Sequence, residues 1–195
     1  MLIFGLGNPG RKYASTRHNI GRDLLLDISE ENNFNNWEFD KYANAYLTEA
    51  KVDDDHVSRF ALPETFMNRS GEAVRELVKR FDVSSGEVVV MYDDIDLPVG
   101  SVRISKDRGD GGHKGLRSIV DHLHTRDFIR IRLGVCPVDE GGEKNKPPKE
   151  IVRDYVLGRF SPEEREKVEK LPSLVWKVIR SLEIYGLTET MNRFN

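Results

Sequence analysis

The chain has 195 residues, of which 38% are hydrophobic and 32% charged, with a formal net charge of −3. That length buries one sizeable core without disulfides or metals to hold it, and the composition excludes a disordered chain. No run approaches the roughly 18 apolar residues of a membrane span. The single cysteine, Cys136, and the lack of a basic leader point to a reducing cytoplasm.

Residues 1–6 read as a buried strand, and 7–19 as a turn-rich segment. Ile20, Leu24, Leu25 and Ile28 are spaced as on one helix face, predicting a helix over 20–31. A loop at 32–36 precedes strands at 44–51 and 57–62, joined by a turn at Asp53-Asp54-Asp55. Residues 72–81 form an amphipathic helix, and the apolar run 88–92 suits a strand covered on both faces. Residues 99–105 alternate as a strand with one wet face. A glycine-rich loop at 109–112 leads into a helix over 115–123, and 128–135 set Phe128, Arg130 and Arg132 against Ile129, Ile131 and Leu133. A polar stretch at 139–149 reads as a mobile loop, and about 161–186 as a C-terminal helical segment. Interleaved strands and helices predict a single α/β domain spanning 1–195, with a mixed twisted sheet surrounded by helices.

Sites in such sheets form beyond the carboxyl ends of the strands. Three polar clusters follow apolar strands: Asn8 to His18, Phe66-Met67-Asn68, and Asp93-Asp94. If those strands run parallel, the clusters meet at one edge. Gly5-Leu6-Gly7-Asn8-Pro9-Gly10 matches a dinucleotide fingerprint, but the following helix starts some ten residues too late to meet a pyrophosphate. His18 is either a surface histidine or a general base at a helix start, where neutral imidazole is favoured. As a base it needs an orienting carboxylate, and Asp93, at the end of a buried strand, is best placed. Asn8 and Asn68 are either turn and helix-cap residues or donors to a developing oxyanion. Met67, Phe66 and Tyr13 suit either core packing or a pocket wall that meets a base or ribose. His113, His122 and His124 lack companions at zinc-ligand spacing, so no metal is expected. Residues 101–132 carry eight Lys/Arg against four Asp, leaving −7 on the remainder. This segment is either an ordinary solvated surface or a phosphate-facing side.

In order and spacing, six stretches resemble the bacterial-type peptidyl-tRNA hydrolase family. They are Gly5 to Gly10 with Tyr13; Thr16-Arg17-His18-Asn19; Pro63 to Gly71; Asp93 to Gly100; Gly111-Gly112-His113-Lys114-Gly115-Leu116; and Asp154-Tyr155-Val156-Leu157. The resemblance implies hydrolysis of the ester joining a peptide, or another N-blocked amino acid, to tRNA. It is expected to proceed in a cytoplasmic monomer without cofactor. His18 becomes the general base and Asp93 its orienting carboxylate, with Asn8 and Asn68 near the scissile carbonyl and Met67 beside them. Tyr13 and Phe66 match tRNA-contacting positions, and His113 a histidine at the rim. Arg132, with Arg103 or Lys106, matches basic groups directed at tRNA phosphate. Discrimination against free aminoacyl-tRNA is expected from polar groups that fit an amide and not an ammonium. One departure stands out: the family usually has asparagine where this chain has Lys114, and Asp110 is the expected neutralising partner. A non-catalytic RNA-binding relative is the alternative reading, because a fold alone does not fix function.

Overall fold

A computed structural model describes residues 1–139 and 141–195. Its strands are β1 (Leu2–Gly5), β2 (Glu38–Asp40), β3 (Ala45–Lys51), β4 (Val57–Pro63), β5 (Val88–Pro98), β6 (Val102–Lys106) and β7 (Ile129–Cys136). Its helices are α1 (Ile20–Glu31), α2 (Ser70–Arg80), α3 (Lys114–Leu123), α4 (Val152–Leu157), α5 (Pro162–Val168) and α6 (Leu171–Phe194). The seven strands form one sheet in the order β2-β3-β4-β1-β5-β7-β6. The central strands β4, β1, β5 and β7 run parallel, while β2, β3 and β6 pair antiparallel at the edges. This is the mixed sheet the sequence predicts.

Strand alternation sorts the core into two layers. Ile3, Val89, Met91, Ile131 and Leu133 face α1 and α6, and pack with Leu24, Leu25, Val175 and Ile179. Leu2, Phe4, Val88, Val90 and Phe128 face α2 and α3, and pack with Val74, Leu77, Leu116 and Ile119. Helices thus cover both faces of the parallel strands, as their continuous apolar runs require. Because β1, β4 and β5 are parallel, the polar clusters that follow them do converge at one end of the sheet.

The structure departs from the sequence reading in a few places. β5 continues past Tyr92 to Pro98, with an irregularity between Asp94 and Pro98 where pairing with β7 shifts register. The short β2 at the edge, pairing only with β3, has no apolar alternation to announce it. α6 extends to Phe194, beyond the expected 186, bending at Gly186, whose φ of 75° is not helical. Of the expected loop at 139–149, Glu140 lies outside the described residues; Val138 bridges Lys144, and Lys146 pairs with Asp96. Among the described residues, no helix is long and apolar enough to cross a membrane.

Candidate active site

The loop leaving β1 is tied to its surroundings residue by residue. Leu6 N–H donates to Met91 O on β5, and Leu6 O accepts from Arg22 N–H on α1, both at 3.0 Å. The first turn of α1 therefore sits directly on β5. Glycine is required at position 21, because a Cβ there would fall 2.3 Å from the Met91 carbonyl oxygen. Next, the Asn19 side chain brackets Asn8: Asn8 N–H donates to Asn19 Oδ1 (2.9 Å), and Asn19 Nδ2 donates to Asn8 O (3.0 Å). Asn8 Oδ1 in turn accepts from Met67 N–H at 2.9 Å. Asn8 thereby joins the loop after β1 to the loop after β4. Its Nδ2 has no partner among the described residues.

His18 lies in a single 3-10 turn, Arg17–Asn19, immediately before α1. Its Nδ1 is 2.8 Å from Asp93 Oδ1, near the end of the buried part of β5. The same oxygen is 2.9 Å from Nε2 of His113. His113 caps α3, with Leu116 N–H donating to its Nδ1 at 3.2 Å. A ring nitrogen that accepts carries no proton, so the His113 proton sits on Nε2 and points at Asp93. His18 likewise donates through Nδ1, which leaves its Nε2 with a lone pair. Two imidazole N–H groups thus converge on one carboxylate oxygen, and one imidazole nitrogen remains basic.

The electrostatics follow from this geometry. Burial alone would raise the Asp93 pKa, but the charges and hydrogen bonds of His18 and His113 hold it well below the usual carboxylate range. Burial also opposes imidazolium at His18. The charge and hydrogen bond of Asp93 outweigh it, and the His18 pKa rises above 6.5, while Lys114 pulls it down. Tyr92 places its ring edge-on to His113, with centroids 5.0 Å apart. Burial, then the Asp94 charge, pushes its phenol up to about 12, so it stays protonated. His18, Asp93 and His113 also offer ligand atoms within 4.8 Å of one another, close enough for a metal ion. Both N···O separations, however, are those of N–H···O hydrogen bonds, and the α3 cap commits the His113 proton to Nε2.

The remaining predicted residues divide into those near this centre and those apart from it. Met67 is buried, and its sulfur occupies the space where a Cβ on residue 115 would sit, 2.6 Å away, with His113 Cε1 at 3.0 Å. Tyr13 and the exposed Phe66 meet edge-to-face with centroids 6.4 Å apart. Asn68 is exposed in the 3-10 turn Met67–Arg69; it neither caps α2, whose N-cap is Arg69, nor bonds to Asn8. Lys114 is the exposed first residue of α3. Asp110 is not its partner: that carboxylate accepts from Arg117 Nε (3.2 Å) and from Gly112 N–H (2.7 Å). Arg103 and Arg132 stand opposite each other on β6 and β7, hence on one face of the sheet. Arg132 donates to Asp94 (2.7 Å) and Lys106 pairs with Asp127 (2.9 Å), whereas exposed Arg103 forms no ion pair among the described residues.

The sequence profile of the peptidyl-tRNA hydrolase family matches residues 2–195. The chain belongs to the peptidyl-tRNA hydrolase family. It is 39% identical over 196 residues to the peptidyl-tRNA hydrolase of Halalkalibacterium halodurans, covering 100% of this chain and 99% of that one. It is 38% identical to that of Clostridium acetobutylicum, covering 100% and 97%. The crystal structure of peptidyl-tRNA hydrolase from Acinetobacter baumannii superposes with a TM-score of 0.87 at 30% identity, over 100% of this chain and 93% of that one.

Several residues that build this candidate site have no individual signal in the sequence. Asn19 is one, although Gly7 hints at it, since a Cβ at 7 would lie 3.0 Å from Asn19 Cγ and 2.8 Å from Arg22 Cβ. Arg130 is another. Alternation puts it opposite the apolar face, yet it is fully buried, and its guanidinium donates to the carbonyls of Gly109 (2.8 Å) and Arg108 (2.5 Å). It anchors the loop that leads to His113. Arg17 is the third: it donates to Glu164 at 2.6 Å and stacks 4.0 Å from the Tyr155 ring, fastening the His18 turn to α4 and α5.

Proposed function

We propose that this chain hydrolyses the ester between a peptide, or another N-blocked acyl group, and the ribose of tRNA, with His18 as general base. The observation that carries the reading is the His18–Asp93 pair at 2.8 Å, which leaves Nε2 of a half-buried imidazole free to take a proton. A water held between Nε2 and the ester carbonyl gives its proton to His18 as its oxygen bonds to carbon. The tetrahedral intermediate then collapses, the bond to the ribose oxygen breaks, and His18 returns the proton to that oxygen. Asp93 stabilises the transient imidazolium and fixes the ring, and His113 holds Asp93 through its Nε2–H. Asn8 Nδ2 and the amide of Asn68 are donors for the carbonyl oxygen and the peptide, while Met67 limits water access. An aminoacyl ester is activated enough that position, base and donors suffice, and the reaction calls on no cofactor.

Tyr13 and Phe66 supply aromatic faces for the acceptor end, and Arg103, which forms no ion pair among the described residues, a cation for phosphate. Arg132 and Lys106 contribute by exchanging Asp94 and Asp127 for phosphate oxygens. The protein acts in this reading as a cytoplasmic monomer. The test is release of N-acetyl-amino acid from N-acetyl-aminoacyl-tRNA by the wild type and by His18→Ala. Loss of general-base help costs about 10²- to 10⁴-fold in rate. An inactive wild type, or an equally active variant, overturns the reading.

A further inference from the structure

We infer that Arg22 and Asp23, neighbours on the first turn of α1, are positioning residues that set the aromatic pair Tyr13–Phe66 against the acceptor end of tRNA. The inference rests on the hydrolase reading above, which gives the two rings that role, and concerns how they are held. The rings come from separate loops, one after β1 and one after β4, and meet edge-to-face with 6.4 Å between centroids. Their relative placement therefore depends on whatever ties both loops to a common support.

The start of α1 is that support. Arg22 grips the loop after β4: its Nη1 donates to Pro63 O at 3.0 Å, and its Nη2 donates to the Glu64 carboxylate, just before Phe66. The Arg22 stem reaches them across Gly7, where a Cβ would fall 2.8 Å from Arg22 Cβ and 3.1 Å from its Cδ. Glu64 is fixed by its backbone too, its N–H donating to Asn44 O at 2.8 Å. Asp23 grips the loop after β1, accepting from Ser15 N–H at 3.0 Å. Ser15 has a φ of 59°, a left-handed conformation uncommon for a residue with a side chain, and the Asp23 carboxylate helps to hold it there. Thr16 Oγ1 donates to Tyr13 O at 2.7 Å and carries the tether back to the ring's own residue. The reacting centre does not share these ties. His18 is held by Asp93, its turn by Arg17 through Glu164, and Met67 N–H by Asn8 Oδ1. Cutting back Arg22 or Asp23 thus loosens the rings and leaves the base in place.

The experiment measures kcat and KM on N-acetyl-aminoacyl-tRNA, and Kd for deacylated tRNA, in the wild type, Arg22→Ala, Asp23→Ala and Asp23→Asn. Burial pushes the Asp23 carboxyl up to about 6, so it is ionised at an assay pH of about 7.5. Losing one base–aromatic stack weakens binding about fivefold. Both Ala variants are expected to raise KM and Kd by that factor with kcat unchanged. For Asp23→Ala this is opposite in sign to a charge effect, because removing an acid favours a polyanion. Asp23→Asn keeps an acceptor for Ser15 N–H and is expected to match the wild type. In a Tyr13→Ala/Phe66→Ala background the Ala substitutions at 22 and 23 are expected to add nothing, because the rings they act through are gone. A mere loss of the Arg22 charge would persist in that background. Wild-type KM and Kd in the Ala variants overturn the inference, as does a fall in kcat at constant KM. So do an Asp23→Asn variant as weak as Asp23→Ala, equal losses with and without the rings, or rings whose removal leaves KM and Kd unchanged. A wild type inactive on the blocked ester overturns the hydrolase reading instead, and the Kd values still decide the inference.

Discussion

Replacing Asp93 by asparagine tests the central pair while nearly preserving its shape. The carboxylate is 4% exposed and accepts from His18 and His113 through one oxygen. An amide at that position can still accept an N–H, so neither ring is left without a partner; what disappears is the negative charge beside the imidazolium. At about 4 Å between charge centres and an effective dielectric constant of about 20, that charge is worth about 4 kcal/mol. With the proton half transferred in the transition state, about half of this is expressed, so kcat/KM on N-acetyl-aminoacyl-tRNA is expected to fall about 30- to 1,000-fold. The acid limb of the pH–rate profile moves as well. In the wild type it lies above 6.5, because Asp93 outweighs burial at His18; in the variant, burial and Lys114 act unopposed and it falls below 6.5. Stability carries the same sign. A raised His18 pKa means the folded state binds more protons than the unfolded one near neutrality. That contribution is fully present below 6.5 and is lost as pH rises through the folded pKa. In the variant the folded pKa is depressed and the contribution reverses, so the stability difference between the two proteins narrows as pH rises. Chemical denaturation at pH 5.5 to 8 with matched rate profiles measures both. A variant within threefold of wild-type kcat/KM, or an acid limb that moves upward, refutes the reasoning.

Two further substitutions examine how the base is held. Gly21→Ala pushes a methyl group to within 2.3 Å of the Met91 carbonyl oxygen, so α1 must lift off β5; a loss of about 1–3 kcal/mol by denaturant titration, with a larger fall in kcat than the stability loss explains, is expected because His18 retreats from Asp93. Arg17→Ala leaves the half-buried Glu164 without its cation and removes the stack on Tyr155; about 1–3 kcal/mol of destabilisation is expected, less than for a fully buried pair, and hydrogen exchange should show α4 and α5 losing protection before the central sheet.

What the sequence discloses and what it hides separate along a physical line. Period and length disclose the elements: α1 runs over Ile20–Glu31 as spaced, β3 and β4 flank an Asp53 turn whose carboxylate accepts from Asp55 and His56 N–H, and β1, β4 and β5 bring their polar ends together. These follow from local patterning, since each apolar face needs a partner layer. The candidate residues His18 and Asp93 are legible because parallel strands leave their carboxyl ends on one side and because the stretches that hold them resemble the family's. The supports are hidden because their roles are pairwise and long-range. Nothing in the local sequence says that Arg130 turns inward to hold Arg108 and Gly109 carbonyls, or that Arg132 spends its charge on Asp94. A side chain's partner is fixed by where the fold puts a neighbour 21 to 147 positions away, as Arg17 with Glu164 shows most plainly. The same principle explains why Asp110 fails as the counter-ion of Lys114. Proximity in sequence suggested the pair, but the turn that carries Asp110 aims it at Arg117 and at Gly112 N–H instead. Lys114 is therefore left as an exposed charge at the start of α3, with no ion pair among the described residues.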